Sequence, residues 1–247
     1  MFTDLLRKMK SGTEYLNYGR DVIAAMTAEY AAQSPDGVLR VLDVGLGTAA
    51  DILNVREALA PREVELYGLE SYGPYVKAAR QKNISVVSAN IEKDRFPFDD
   101  HFFDVVLANQ VIEHTKEVFW IFSEVSRVLK EGGVAIIGVP NLASLHNRIM
   151  LALGMQPSSI EMLGPHVRGI TKGGFRRFIT TDGYFELLKV RGSNFYPFPA
   201  ALARPLSRLL PAMSVSLFFL CRRTDRAGCF GDVLKTRFYE TPFFAGE

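Results

Sequence analysis

Cysteine is nearly absent. The chain has two, Cys221 and Cys229, among 247 residues, and their spacing matches no metal motif. That excludes a disulfide framework and points to a reducing compartment. Charge of one sign is missing too. The 29 Lys and Arg residues against 27 Asp and Glu leave a net charge of +2, which supplies no general drive toward nucleic acid. No apolar run approaches the ~20 residues that span a bilayer. Asp4, Arg7, Lys8 and Lys10 interrupt the apolar residues at the start, so no signal-peptide core is expected. Internal repeats and low-complexity tracts are lacking as well. What remains is the composition of a soluble globular protein, 48% hydrophobic and 23% charged. The length suits one α/β domain with embellishments, and a cytoplasmic location is expected.

The stretch that organises the chain runs from Val38 to Ala50. A β-prone run ends in Asp43, the turn Gly45-Leu46-Gly47 follows at once, and a helical segment begins near Asp51. A strand, a glycine turn and a helix in that order let backbone N–H groups approach a nucleotide-like ligand. Gly45-x-Gly47-x-x-Ala50 also fits the dinucleotide fingerprint, and Glu70 suits the ribose hydroxyls of either NAD or S-adenosylmethionine.

Strands and helices then alternate, which implies a parallel sheet with right-handed crossovers. Strands are expected at 38–44, 64–69, 84–88, 103–108 and 134–139, with helices at 49–59, 74–82 and 116–129. Val118, Ile121, Phe122, Val125, Val128 and Leu129 form the buried stripe of the last, which Lys130-Glu131-Gly132-Gly133 terminates. Residues 1–37 read as N-terminal helices packed on the domain. Met1–Lys10 is amphipathic and suits either docking or a membrane surface. Residues 38–224 form the main domain, with an insertion over 141–170 on the acceptor side. Helices are expected at 145–153, 171–179 and 200–210, strands at 184–191 and 213–222, and a loosely ordered tail over 225–247.

Ligands of open parallel sheets sit beyond the carboxyl ends of the strands. Those ends carry Asp43 and Gly45, then Glu70 and Ser71, then Asn90 and Ile91, then Asn109 and Gln110. The set offers carboxylates, amides and glycine backbone, without clustered Lys or Arg. A pyrophosphate wants cations or many N–H donors. A zwitterionic ligand bearing a sulfonium wants carboxylates and amides.

Val-Leu-Asp-Val-Gly-Leu-Gly over 41–47 resembles motif I of class I S-adenosylmethionine-dependent methyltransferases. Phe96 to Val106 resembles the strand-four signature of that superfamily, and Glu124 to Gly133 its helix and turn before strand five. The resemblance covers about residues 38–140. It implies a Rossmann-like doubly wound sheet of seven strands in the order 3-2-1-4-5-7-6, with strand seven antiparallel. It implies S-adenosyl-L-methionine as cofactor, S-adenosyl-L-homocysteine as product, and no metal. By resemblance, Gly45 and Gly47 approach the methionine moiety, and Asp43 lies near its amino group or orients the turn. Glu70, beside Ser71, takes both ribose hydroxyls. Asn90 takes the adenine amine, with Ile91 on the ring. Asn109 and Gln110 border the methyl group. Two departures stand out: Ala49 replaces a common third glycine, and Asn90 a common aspartate. Residues 139–222, with Val139 to Arg148, Gly164 to Thr171 and the segment Phe195-Tyr196-Pro197-Phe198-Pro199, resemble methyltransferases encoded in polysaccharide biosynthesis clusters. That implies a saccharide or lipid-linked saccharide as the small-molecule acceptor.

Methyl transfer chiefly requires alignment, and it needs a base only where the acceptor loses a proton. His114, just past strand four, is the first candidate for that base, and a structural histidine is the other reading. His166, in the insertion, is the alternative base, and with Arg168 it also reads as a group that binds the acceptor or clasps the insertion shut. His146 reads as structural, and Glu113 as non-catalytic. Arg176, Arg177, Arg204 and Arg208 suit an anionic acceptor or a solvated surface. Strand four is followed by Asn109-Gln110-Val111-Ile112 rather than the Asn/Asp-Pro-Pro-Tyr/Phe of amino-methylating nucleic-acid enzymes, and no Pro-Cys nucleophile occurs. The expected function is methyl transfer to a hydroxyl of a sugar or other small molecule. Carbon methylation of a quinone or natural-product scaffold is the first alternative. A cofactor-binding partner subunit without turnover, or an NAD-dependent oxidoreductase, is an alternative of another class.

Overall fold

A computed structural model describes residues 19–236. The expected helix at Met1–Lys10 and residues 237–247 of the expected tail lie outside them. The elements run α1 (Arg20–Ala31), β1 (Leu39–Val44), α2 (Ala50–Leu59), β2 (Val64–Leu69), α3 (Gly73–Arg80), β3 (Ser85–Val87), β4 (Phe103–Asn109), α4 (Val118–Val128), β5 (Leu129–Pro140), α5 (Leu145–Ala152), α6 (Lys172–Ile179), β6 (Phe185–Ser193), α7 (Ala200–Leu209), β7 (Ser216–Arg223) and α8 (Val233–Thr236).

The seven strands form one sheet in the order β3-β2-β1-β4-β5-β7-β6. The first five are parallel to one another, and β7 runs antiparallel between β5 and β6. Successive side chains of a strand point to opposite faces, and both faces of this sheet are covered. Leu42, Val44, Val106, Ala135, Ile137, Leu217 and Phe219 join one core, with Phe122 of α4 and Phe175 of α6. Leu39, Val41, Val105, Val134, Ile136 and Phe218 join the other, with Ile23 of α1, Ile52 of α2 and Val76 of α3. The central strands are therefore apolar at nearly every position, as strands buried on both sides must be.

Two sequence expectations are corrected. Lys130–Gly133, expected to end the helix ahead of a strand over 134–139, belongs to β5 itself. α4 ends at Val128 and β5 begins at Leu129, which pairs with Phe103. A Cβ at Gly133 would lie 2.9 Å from the Lys130 carbonyl and 3.0 Å from that of Asp104, so this glycine serves close strand approach. The first part of the expected tail belongs to the core. Phe230 and Val233 are fully buried, and the Phe230 N–H donates to Ser126 Oγ on α4 at 2.8 Å. Arg223, buried at the end of β7, donates to the carbonyls of Ser126, Thr224, Arg226 and Gly228 and so fixes the chain that leads to Phe230. Among the described residues, no helix is long and apolar enough to cross a membrane.

Candidate active site

The carboxyl ends of β1, β2, β3 and β4 lie side by side, as the strand order requires. β1 ends in Asp43, which is 2% exposed and has an Oδ2 without a hydrogen-bond partner among the described residues. Burial, then the nearby charges of Asp51 and Glu70, push its carboxyl well above the usual range. Asp51, in the first turn of α2, is raised too, chiefly by burial, with the Asn109 amide and Arg20 opposing. Three carboxylates thus face one corner.

The turn between β1 and α2 is left-handed at Gly45 (φ +75°), Gly47 (φ +51°) and Ala49 (φ +65°). A Cβ at Gly45 would meet Val111 Cγ2 at 2.6 Å, whereas one at Gly47 would enter open space, with only the Gly45 carbonyl at 3.9 Å. Gly47 therefore leaves a cradle that a side chain would fill. Ala49 holds the left-handed conformation that a glycine adopts without strain. Glu70 is half-buried, and its carboxylate accepts from the Gly47 N–H at 2.8 Å and from the Tyr72 N–H at 2.8 Å. Its first task here is to tie the turn to the end of β2. Each oxygen keeps a further acceptor site for a ligand hydroxyl. Ser71 is exposed beside it, next to an exposed edge-on pair, Tyr72 and Tyr75, with ring centroids 5.1 Å apart.

After β3, the Asn90 side-chain oxygen accepts from the Glu92 N–H at 3.0 Å, while the Asn90 N–H donates to Asp94 at 2.7 Å. Ile91 is half-buried and packs on the core. Glu92 accepts from the N–H groups of Lys116 and Glu117, which joins this loop to the start of α4. At the end of β4, Asn109 donates to Asp51 at 3.2 Å. A Cβ at Gly138 would come within 2.2 Å of the Asn109 side-chain oxygen. Gln110 turns the chain with a left-handed φ of +56°, and its buried side-chain nitrogen has no partner among the described residues.

A short 3-10 turn, Ile112–His114, follows. Residues 141–170 fold over it, with the Val167 and Arg168 N–H groups donating to the Glu113 main-chain oxygen at 2.9 and 3.3 Å. This brings His166 to His114, with ring centroids 4.7 Å apart. His114 is 40% exposed, and burial, the Pro165 carbonyl and the nearby His166 act on its pKa, for a net lowering. Glu113 is 1% exposed, and burial raises its carboxyl to about 7. Arg168 donates to the Lys116 carbonyl. His146 lies between Ser144 and Ser158 and against Tyr196, at the base of the insertion. Arg176 and Arg177 on α6, and Arg204 and Arg208 on α7, are exposed. Phe195 is buried, and Phe198 is exposed at its side.

The cofactor residues expected from the sequence all follow the carboxyl ends of β1 to β4, with Asn90 and Ile91 in the loop after β3. Asp51 stands at the same carboxylate corner and is not among the residues expected there. Asp51 had a legible signal, an acid in the first turn of the helix after the glycines.

Residues 42–137 match a family model described as a methyltransferase domain. Two uncharacterised proteins are similar over part of their length. One, from a transposon of Streptomyces fradiae, is 26% identical over 42% of this chain, and one from Methanocaldococcus jannaschii is 32% identical over 40%. The chain spans only 31% and 44% of these two relatives. The ubiquinone biosynthesis O-methyltransferase of Cereibacter sphaeroides is 24% identical over 70% of this chain and 67% of its own length. Among solved structures, the CurJ carbon methyltransferase has a TM-score of 0.54 at 17% identity, over 78% of this chain and 50% of that one. The [4+2]-cyclase SpnF has a TM-score of 0.57 at 18% identity, over 81% of each chain. At these identities the structural likeness is one of fold. Residues 42–137 thus match a methyltransferase domain set in the fold that S-adenosylmethionine-dependent methyltransferases share, and S-adenosylmethionine is the cofactor this match indicates. The cleft suits it: the orphaned Asp43 oxygen and the acids around it complement a ligand with an ammonium and a sulfonium, and the Gly47 cradle gives such a ligand room.

Proposed function

We propose that the whole chain transfers the methyl group of S-adenosylmethionine to a hydroxyl of a sugar, a lipid-linked saccharide or another hydroxylated small molecule in the cytoplasm. The choice of oxygen rests on the pair of imidazoles, His114 and His166, whose ring centroids lie 4.7 Å apart beyond the end of β4. Each uses Nδ1 on a backbone carbonyl, which leaves Nε2 to accept a proton. Similarity to an O-methyltransferase over most of the chain supports the same reading.

The bound cofactor supplies an electrophilic methyl on a sulfonium. The chain's residues do the rest. Asp43 and Asp51 set a negative field for the cationic end of the ligand. Glu70 and Ser71 meet the ribose, while Asn90 and Ile91 hold the adenine by its amine and its ring. Asn109 and Gln110 border the methyl group. With no cation bound, His114 Nε2 takes the acceptor's proton as the new bond forms, and His166 is the second candidate. Residues 141–170 act as a lid. Its exposed Met162 and Leu163, at 88% and 102%, give it an apolar outer edge for a large or lipid-linked acceptor.

Carbon methylation is the second reading, favoured by the fold likeness to a carbon methyltransferase. The test is turnover of labelled cofactor with a panel of free sugars, nucleotide sugars, lipid-linked sugars and quinols, with NMR of the product to locate the methyl. Methyl on oxygen, together with a rate loss of ~10²–10⁴-fold in His114→Gln or His166→Gln at unchanged cofactor affinity, is the expected result. Methyl on carbon overturns it. Tight cofactor binding without transfer to any acceptor would identify a partner subunit without turnover.

A further inference from the structure

Three side chains from two separate stretches of the sequence meet beside the end of β4. Glu113 and His114 are neighbours on the 3-10 turn, and His166 reaches them from the 141–170 segment. Each offers one ligand atom, and the three atoms lie within 4.8 Å of one another. His114 Nε2 is 4.0 Å from Glu113 Oε1.

The tautomers follow from the hydrogen bonds. His114 Nδ1 is 3.3 Å from the Pro165 carbonyl and His166 Nδ1 is 2.9 Å from that of Ser159. A carbonyl only accepts, so each Nδ1 carries the hydrogen and each Nε2 carries a lone pair. Imidazole with Nδ1–H fixed on an outer carbonyl and Nε2 open is the form that ligates metals.

Glu113 supplies an independent sign. Its side chain is 1% exposed, and neither carboxylate oxygen has a hydrogen-bond partner among the described residues. Its main-chain oxygen is satisfied twice by the lid, so the turn is held firmly while no other described residue donates to the carboxylate. The nearby cation Arg168 is turned to the Lys116 carbonyl. A buried carboxylate without donors is a group that lacks its counterpart.

We propose that Glu113, His114 and His166 hold a divalent cation of the zinc, manganese, iron or cobalt class. Two imidazoles and one carboxylate suit such ions and leave positions open for a further oxygen ligand. Adjacent Glu-His alone is no metal motif, which is why the sequence suggests no metal. The third ligand arrives only when residues 141–170 fold over the turn.

The cation's role, though not the site, rests on the methyl-transfer reading. With the ion in place, the two Nε2 lone pairs coordinate it instead of accepting a proton. A cation held by these three residues would supply Lewis-acid chemistry, so that an acceptor hydroxyl would lose its proton to water more readily. Its oxygen forms the new C–O bond as the C–S bond breaks, and the sulfur leaves as a neutral thioether.

The test is direct binding to the full chain after chelator treatment. Zinc, manganese and cobalt are titrated by calorimetry, and the cobalt form is followed by its visible absorption. One ion per chain is expected. Affinity should fall at least ~10-fold in His114→Ala, His166→Ala and Glu113→Gln, with no change in His101→Ala or His146→Ala. These substitutions cover all four histidines of the chain. Binding that is absent in the wild type, or equally strong in all variants, overturns the proposal. Ion binding through these three residues in a chain that transfers no methyl group sustains the site and removes only the catalytic role.

Discussion

The Gly47 N–H donates to Glu70 Oε2 at 2.8 Å, and this one bond joins the turn after β1 to the end of β2. The two residues are 23 apart in the chain. The bond pulls the glycine turn against the acid proposed to meet the ribose, so one contact sets the two halves of the proposed cofactor site.

Glu70→Ala removes both this tie and the acceptor for the ligand. A charged hydrogen-bond partner is worth about 1.5–3 kcal/mol, or roughly 10–150-fold in affinity. Calorimetry with S-adenosylmethionine or S-adenosylhomocysteine should show that loss. Equal affinity in wild type and variant would remove Glu70 from the site.

The two glycines of the turn should respond differently. Gly47→Val enters open space, so the fold should persist by circular dichroism, with about 1–2 kcal/mol of left-handed strain, while cofactor binding disappears. Gly45→Ala adds a Cβ 2.6 Å from Val111 Cγ2, so it should lower the melting temperature more than Gly47→Ala does. The reverse order of the two melting temperatures would show that Val111 yields.

Asp43→Asn should separate stability from binding. The folded pKa of Asp43 is raised, chiefly by burial, above an unfolded value near ~3.9. Between those two values the folded state holds more protons than the unfolded one, so wild-type stability falls as pH rises. The asparagine variant lacks that slope. At neutral pH it should melt higher than the wild type without ligand, yet bind the cofactor more weakly. A lower melting temperature would mean that the charge is already compensated.

Phe230 tests the packing of the segment after β7. It is fully buried among Phe119, Phe122, Phe178 and Phe185. Phe230→Ala should cost about 3–5 kcal/mol, as deletion of a buried aromatic does, read from denaturant midpoints. A change within ~0.5 kcal/mol would mark the segment as a detachable surface strap.

Much of this protein was legible in one dimension. The strands and helices from Val38 to Pro140 repeat with periods that burial imposes, and the sheet order follows from their type and the fold they resemble. The acids and amides at the strand ends were legible because parallel topology brings successive carboxyl ends to one edge. Other features needed the third dimension. Phe230 and Val233 belong to the core without any local periodicity, because their partner is the face of α4 over a hundred residues earlier. Gly133 looks like a helix stop, yet its role is the approach of Lys130 and Asp104 backbone. The engagement of Glu70 by Gly47 depends on β1 and β2 lying in register. The meeting of Glu113 and His114 with His166 depends on hydrogen bonds from Val167 and Arg168 to one carbonyl. Local sequence specifies which residues carry chemistry. Only tertiary packing decides which of them share a corner and which buried groups lack a partner there.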